Sequence, residues 1–213
     1  MTPRTIKRVA IGGGALLLLG VLARSTSGKG GSKVYPKVTP NGGRRIKSGK
    51  PEPGAGDLVD VPAAVNRGAT KIHKVALASF LDMFAAFTAD LGPSLGGAGR
   101  IVSAWRSAVR QAELFAQTLA AVRAANPGAS DEDVMKMARQ RRAPAGKSEH
   151  ETGLAIDLDL DGRATISKND NARLRQTPLY KWMAANAARF GWYEYGASGA
   201  DSGEAWHWVY NPA

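Results

Sequence analysis

No cysteine occurs in the 213 residues. Disulfides, thiolate metal sites and cysteine nucleophiles are therefore excluded, and any bound metal falls to His, Asp and Glu. Histidine is itself scarce, at three copies. Acidic side chains are missing from the whole segment before Glu52. The apolar run near the N-terminus, "VAIGGGALLLLGVLA", ends after fifteen residues, short of the roughly 20 that cross a bilayer comfortably. No internal repeat is present.

The missing acid locates the formal charge of +11. Residues 1–74 hold fourteen Lys and Arg against three Asp and Glu, whereas residues 75–213 hold fifteen of each. The excess is confined to the N-terminal third, and the remainder is neutral. A nucleic-acid-binding domain carries its basic face on the folded part, so no nucleic-acid partner is expected.

Within that basic third, "MTPRTIKR" and the apolar run match the n-region and h-region of a secretory signal. Val21 and Ala23 are small enough for cleavage after Ala23, which makes residues 1–23 a signal peptide; an uncleaved signal anchor is the alternative. The three consecutive glycines lack the strand and βαβ unit that a nucleotide loop needs. Residues 24–60 are rich in Gly, Pro, Ser, Lys and Arg, with too few apolar groups to offset their ordering entropy. They form a flexible cationic tether, either simply solvated or drawn to anionic envelope polymers and lipid headgroups. The chain is thus expected outside the cytoplasm: periplasmic, cell-envelope-bound or extracellular.

The folded domain is expected over residues 61–213. Val75, Leu77, Phe80, Leu81, Phe84, Phe87 and Leu91 recur at helical spacing up to Gly92-Pro93. "RIVSAW" reads as a short strand, and residues 107–125 as a second amphipathic helix closed by Asn126-Pro127-Gly128. Ser130 with Asp133 resembles a capping box for a helix to about Gln140. Thr177 and Pro178 are an N-cap and a proline at the first helical position, opening a helix to Arg189. Short strands follow at Trp192–Tyr195 and Trp206–Tyr210. Helices mostly first and strands mostly later indicate an α+β fold.

The stretch "SEHETGLAIDLDLDG", residues 148–162, concentrates candidate chemistry. Asp157, Asp159, Asp161 and Gly162 imitate the start of a calcium loop, but that loop needs a bidentate glutamate at its twelfth position. Counting from Asp157, that position is Lys168, a cation. Leu154, Ile156, Leu158 and Leu160 alternate with Ala155, Asp157 and Asp159, which is instead a half-buried strand with carboxylates on one face. Asp159 lies on the face of Asp157, one repeat along, and Asp161 with Gly162 forms a turn.

His150 and Asp157 are seven apart, and Gly153 offers the break that would let a loop histidine fold back beside the strand. Near the C-terminus, "GEAWHWVY" supplies Glu204 and His207, again a loop residue and a strand residue. Two imidazoles and one carboxylate satisfy the three protein ligands of a catalytic zinc, and a spare glutamate can serve as general base. The plainer alternatives are a packed histidine between Trp206 and Trp208, and solvated aspartates on a strand edge. His73 has no acidic neighbours and is expected on the surface, outside any site.

"SEHETGLAID" and "EAWHW" closely resemble the two signatures of the VanY-like D-alanyl-D-alanine carboxypeptidase family of zinc peptidases, S-x-H, six residues to D, and a distant E-x-x-H. That group also includes D,D-dipeptidases, phage endolysins and hedgehog domains. "SAWRSAVRQAELF" resembles a third family segment, with Trp105 where tyrosine is usual, and "LYKWMAANAARFGW" resembles the helix and turn before the last motif. The four occur in family order over residues 73–211. The resemblance implies a small central antiparallel sheet carrying one zinc per chain, flanked by helices. It implies His150, Asp157 and His207 as ligands and Glu204 as the catalytic base. Arg106 corresponds to the arginine that holds a substrate carboxylate or the developing oxyanion, and Ser148 and Gln111 to polar pocket positions. Ala205 stands where the family usually has proline, a departure expected to loosen the backbone before His207.

The expected function is hydrolysis of peptidoglycan stem peptides, with removal of a C-terminal D-alanine. A peptidoglycan endopeptidase or lysin, and a non-catalytic zinc-stabilised cell-wall-binding module, are the competing readings.

Overall fold

A computed structural model describes residues 53–54, 56–164, 166–195 and 203–211. The expected signal at 1–23 and the tether up to Glu52 lie outside the described residues.

In chain order the elements are β1 (Leu58–Asp60), β2 (Lys71–His73), α1 (Lys74–Leu91), β3 (Ile101–Ser103), α2 (Ala108–Ala125), α3 (Asp131–Arg141), β4 (Ala155–Leu158), α4 (Asn171–Leu174), α5 (Pro178–Asn186), β5 (Trp192–Glu194) and β6 (His207–Tyr210). Local chemistry sets the helix starts. Ser107 accepts the Arg110 N–H, Ser130 the Asp133 N–H and Thr177 the Tyr180 N–H, each on its hydroxyl. These caps satisfy donors that have no partner within the helix. Helix α5 ends at Asn186 because its last turn, Ala187–Phe190, tightens into a 3-10 turn closed by Gly191, earlier than the expected Arg189.

Strands β1 and β2 form an antiparallel pair, so among the described residues regular structure begins at Leu58, ahead of Val61. His73 is not on the surface. It is buried, caps α1 by accepting the Val75 N–H on Nδ1, and donates its own N–H to the Gly153 carbonyl at 2.9 Å. Burial pushes its imidazole below the ordinary value, against the opposing charge of Asp57.

The main sheet has the order β3-β4-β6-β5, antiparallel throughout. The α+β class and the small antiparallel sheet flanked by helices match the sequence-based expectation. One face packs on α1, whose Phe80, Met83 and Phe87 are fully buried with Ile156 and Leu158 of β4 and Trp192 of β5. Phe80 meets Trp192 edge-on at 6.2 Å between centroids. Strand β4 is buried on both faces rather than half-buried, because it is an inner strand with a side-chain cluster over the face that carries Asp157. Helices α2 and α3 pack on each other around Val122, Val134 and Ala138.

Candidate metal centre

Sheet register brings the first two candidate ligands together. Asp157 of β4 lies directly opposite His207 of β6, and directly opposed residues project side chains to the same face about 4.5–5.5 Å apart. His207 Nδ1 is 2.9 Å from Asp157 Oδ1. His150 arrives from the 3-10 turn Glu149–Thr152, which ends at Gly153 with φ 71°. A side chain at Gly153 would be strained in that conformation and would meet Leu58 Cδ2 at 2.9 Å, so the reversal that returns His150 to β4 needs glycine. His150 Nε2 then lies 3.4 Å from Asp157 Oδ2.

The tautomer of His150 follows from its other nitrogen. Nδ1 sits 2.7 Å from the Ala104 carbonyl, which can only accept, so Nδ1 carries the proton and a neutral ring leaves Nε2 bare. The two imidazoles stand edge-on, 4.8 Å apart. Burial alone raises the Asp157 carboxyl, but His150 and His207 outweigh it and hold the group well below the usual carboxylate range. One potential ligand atom from each of the three residues lies within 4.8 Å of the others. His207 Nε2 is the only buried side-chain nitrogen or oxygen without a hydrogen-bond partner among the described residues. A buried, mixed imidazole and carboxylate set of three suits zinc with an open fourth position.

Ser148, His150, Asp157, Glu204 and His207 line one cavity of about 600 Å³ together with Arg106 and Gln111. The structure therefore assembles all seven sequence-selected residues. Arg106 donates from Nη1 to Gln111 Oε1 at 2.7 Å. Gln111 is buried, and its amide nitrogen donates to the Ala143 carbonyl, so its oxygen is the end left for the guanidinium. Burial lowers the Arg106 pKa, with the charge of Asp157 opposing.

Glu204 extends from a turn closed by the His207 N–H on the Glu204 carbonyl at 2.8 Å, and its Oε1 meets Lys168 Nζ at 3.3 Å. The expected looseness after Glu204 is absent. Ala205, fully buried, donates its N–H to Asn171 Oδ1 at 2.8 Å, a bond proline could not make.

The other aspartates of the motif are elsewhere engaged. Asp159, beyond the end of β4 and fully buried, pairs with Arg67 and accepts the Asp161 and Ala164 N–H groups. Asp161 turns the chain by accepting the Arg163 N–H and binds Arg173 at 2.9 Å.

Several cavity residues escaped the sequence reading. Lys168 served only to exclude calcium, yet it lines the cavity. Tyr195 stands edge-on to His207 at 5.0 Å. Arg139, Arg141, Arg142 and Lys147 also line the cavity. The basic run "RQRR", residues 139–142, was a signal for the three arginines; Lys147 and Tyr195 had none.

The model of one protein family, described as VanY, D-alanyl-D-alanine carboxypeptidase, matches residues 69–213. Among curated proteins none matches. Of solved structures, a mutant of the vancomycin-resistance D,D-pentapeptidase VanY from a VanB-type cassette, in complex with Zn(II), is 24% identical with TM-score 0.53, covering 78% of this chain and 86% of its own. VanYB in complex with D-alanine-D-alanine is 24% identical with TM-score 0.54, covering 78% and 84%. The LD-carboxypeptidase LdcB is 23% identical with TM-score 0.54, covering 76% and 70%. These are likenesses of fold.

Proposed function

Since the chain belongs to the D-alanyl-D-alanine carboxypeptidase family, we propose that it removes C-terminal D-alanine from peptidoglycan stem peptides, using one zinc ion held by His150, Asp157 and His207. The observation that carries this reading is the convergence of those three side chains on the wall of a cavity that also holds Arg106 and Glu204. The fold neighbours solved with Zn(II) and with D-alanine-D-alanine support it.

Zinc in such a set supplies a Lewis acid for the scissile carbonyl and makes a water more acidic. The remaining work belongs to the chain. Arg106, fixed by Gln111, receives the C-terminal carboxylate in its fork, where burial strengthens the pairing. Glu204 accepts a proton from the attacking water and returns it to the departing amine of D-alanine. Ser148, buried at the cavity wall, offers a hydroxyl to the bound peptide. A peptidoglycan substrate calls for export, and residues 1–23 supply the signal or anchor for it. The basic residues between that segment and β1 tether the domain near the anionic envelope.

The test is digestion of purified stem pentapeptide by the zinc-loaded chain, followed by mass spectrometry. Loss of a single terminal alanine is expected. Glu204→Gln should lower kcat by about 10²–10⁴-fold while bound zinc stays at the wild-type level. An intact pentapeptide, or cleavage within the stem, overturns the reading; zinc loss in Glu204→Gln reassigns that residue as a ligand.

A further inference from the structure

A single side chain grips the backbone on both sides of Glu204. Asn171, the first residue of α4, donates from Nδ2 to the Gly203 carbonyl at 2.6 Å. It accepts the Ala205 N–H on Oδ1 at 2.8 Å. An asparagine amide has one donor end and one acceptor end. Here a carbonyl that can only accept and an N–H that can only donate use one each, so the orientation of the amide is settled by its partners. Just ahead of Asn171, Lys168 of the 3-10 turn Lys168–Asp170 meets the Glu204 carboxylate itself. One short segment thus contacts Glu204 through its side chain and through both flanking peptides.

The local backbone requires such a device. Gly203 and Glu204 belong to no strand or helix. The turn that follows uses the Glu204 carbonyl and the His207 N–H, which leaves the N–H of Ala205, at its second position, outside the turn's own bond. Ala205 is fully buried, and a buried N–H without an acceptor is costly. Proline favours the same turn position and would stiffen it without an N–H to satisfy. Asn171 supplies by hydrogen bonding what proline would supply covalently.

We propose that Asn171 is a positioning residue that holds Glu204 at the angle needed for proton transfer. The inference rests on Glu204 acting as the general base. Displacement of a reacting group by about 1 Å can cost on the order of 100-fold in rate, so the effect falls on kcat.

The experiment uses the full zinc-loaded chain and a stem pentapeptide. In Asn171→Ala, kcat is expected to fall roughly 10- to 100-fold, with KM and bound zinc unchanged and the Ala205 amide exchanging faster with deuterated solvent. Adding Ala205→Pro to that variant should restore kcat by about 5-fold or more, because proline removes the unsatisfied donor and stiffens the turn. If Asn171→Ala does not fold, Asn171→Asp, which keeps the acceptor but loses the donor to Gly203, should show the same fall in kcat alone. Wild-type kcat in these variants overturns the clamp, as does a loss of rate that only tracks lost zinc or a folded double variant with no recovery. Glu204→Gln separates the two claims: retained turnover there defeats the base assignment, whereas its loss beside an unaffected Asn171→Ala defeats the clamp alone.

Discussion

Asp157 is the residue on which both imidazoles converge, one on each carboxylate oxygen. With both imidazoles protonated in the metal-free chain, its carboxyl is held below the usual range, burial pushing it up and the two charged histidines more than reversing that. A depressed carboxyl contributes stability that is complete above its unfolded value, about 3.9. That contribution is lost as pH falls through the folded value. The metal-free chain and its Asp157→Asn variant should therefore differ in unfolding free energy at pH 6, and the difference should shrink steadily below about pH 4. Urea unfolding across that range measures it, and a gap constant down to pH 3 would show that the carboxylate charge is not what the imidazoles stabilise. At this scale the sequence was legible by motif. The spacing around His150 and Glu204 selected residues that do share a cavity. Asp159 was not legible, since nothing local distinguishes a carboxylate facing the histidines from one that pairs with Arg67.

Helix α1 shows which elements were legible. Its apolar spacing and the Gly92-Pro93 stop located it to within a residue. Phe80 and Phe87 of that pattern are fully buried, together with Met83 outside it, whereas Val75, Leu77, Leu81, Phe84 and Leu91 are half-buried at the edge of the core. Phe80→Ala should cost about 3–5 kcal/mol, read as a lower urea midpoint with an unchanged slope. A change below about 1 kcal/mol would mean that the surrounding side chains close the cavity. The capped helices α2, α3 and α5 were legible for the same reason: caps and periodicity lie within a few residues of each other in sequence. Strands β1 and β2 were not, because each is defined by its antiparallel partner rather than by an apolar pattern of its own. The register that sets Asp157 opposite His207 is likewise a choice between segments fifty positions apart.

Across the whole molecule, charge is sorted in a way the composition conceals. Residues 75–213 are formally neutral, yet the cavity is lined by Arg106, Arg139, Arg141, Arg142, Lys147 and Lys168 against Glu149, Asp157 and Glu204. Such a cavity concentrates carboxylate substrates by long-range attraction, which salt screens over a Debye length of about 10 Å at 0.1 M and about 3 Å at 1 M. Raising ionic strength should therefore raise KM for a stem peptide several-fold and leave kcat within about 2-fold, because partly buried interactions are screened less. A KM independent of salt would show that Arg106 alone reads the substrate's charge.

The sequence by itself determined the family, the α+β class, the long helices and the identities of the seven cavity residues first selected. Those features are written in short-range spacing, capping chemistry and motif order. Tertiary structure alone decided that Asp159 pairs with Arg67, that His73 is a buried cap, that cations gather at one cavity, and that Asn171 braces the peptides beside Glu204. Each of these depends on groups far apart in the chain being brought within hydrogen-bond range, and such pairings are selected by the packing of the whole fold rather than by any local stretch.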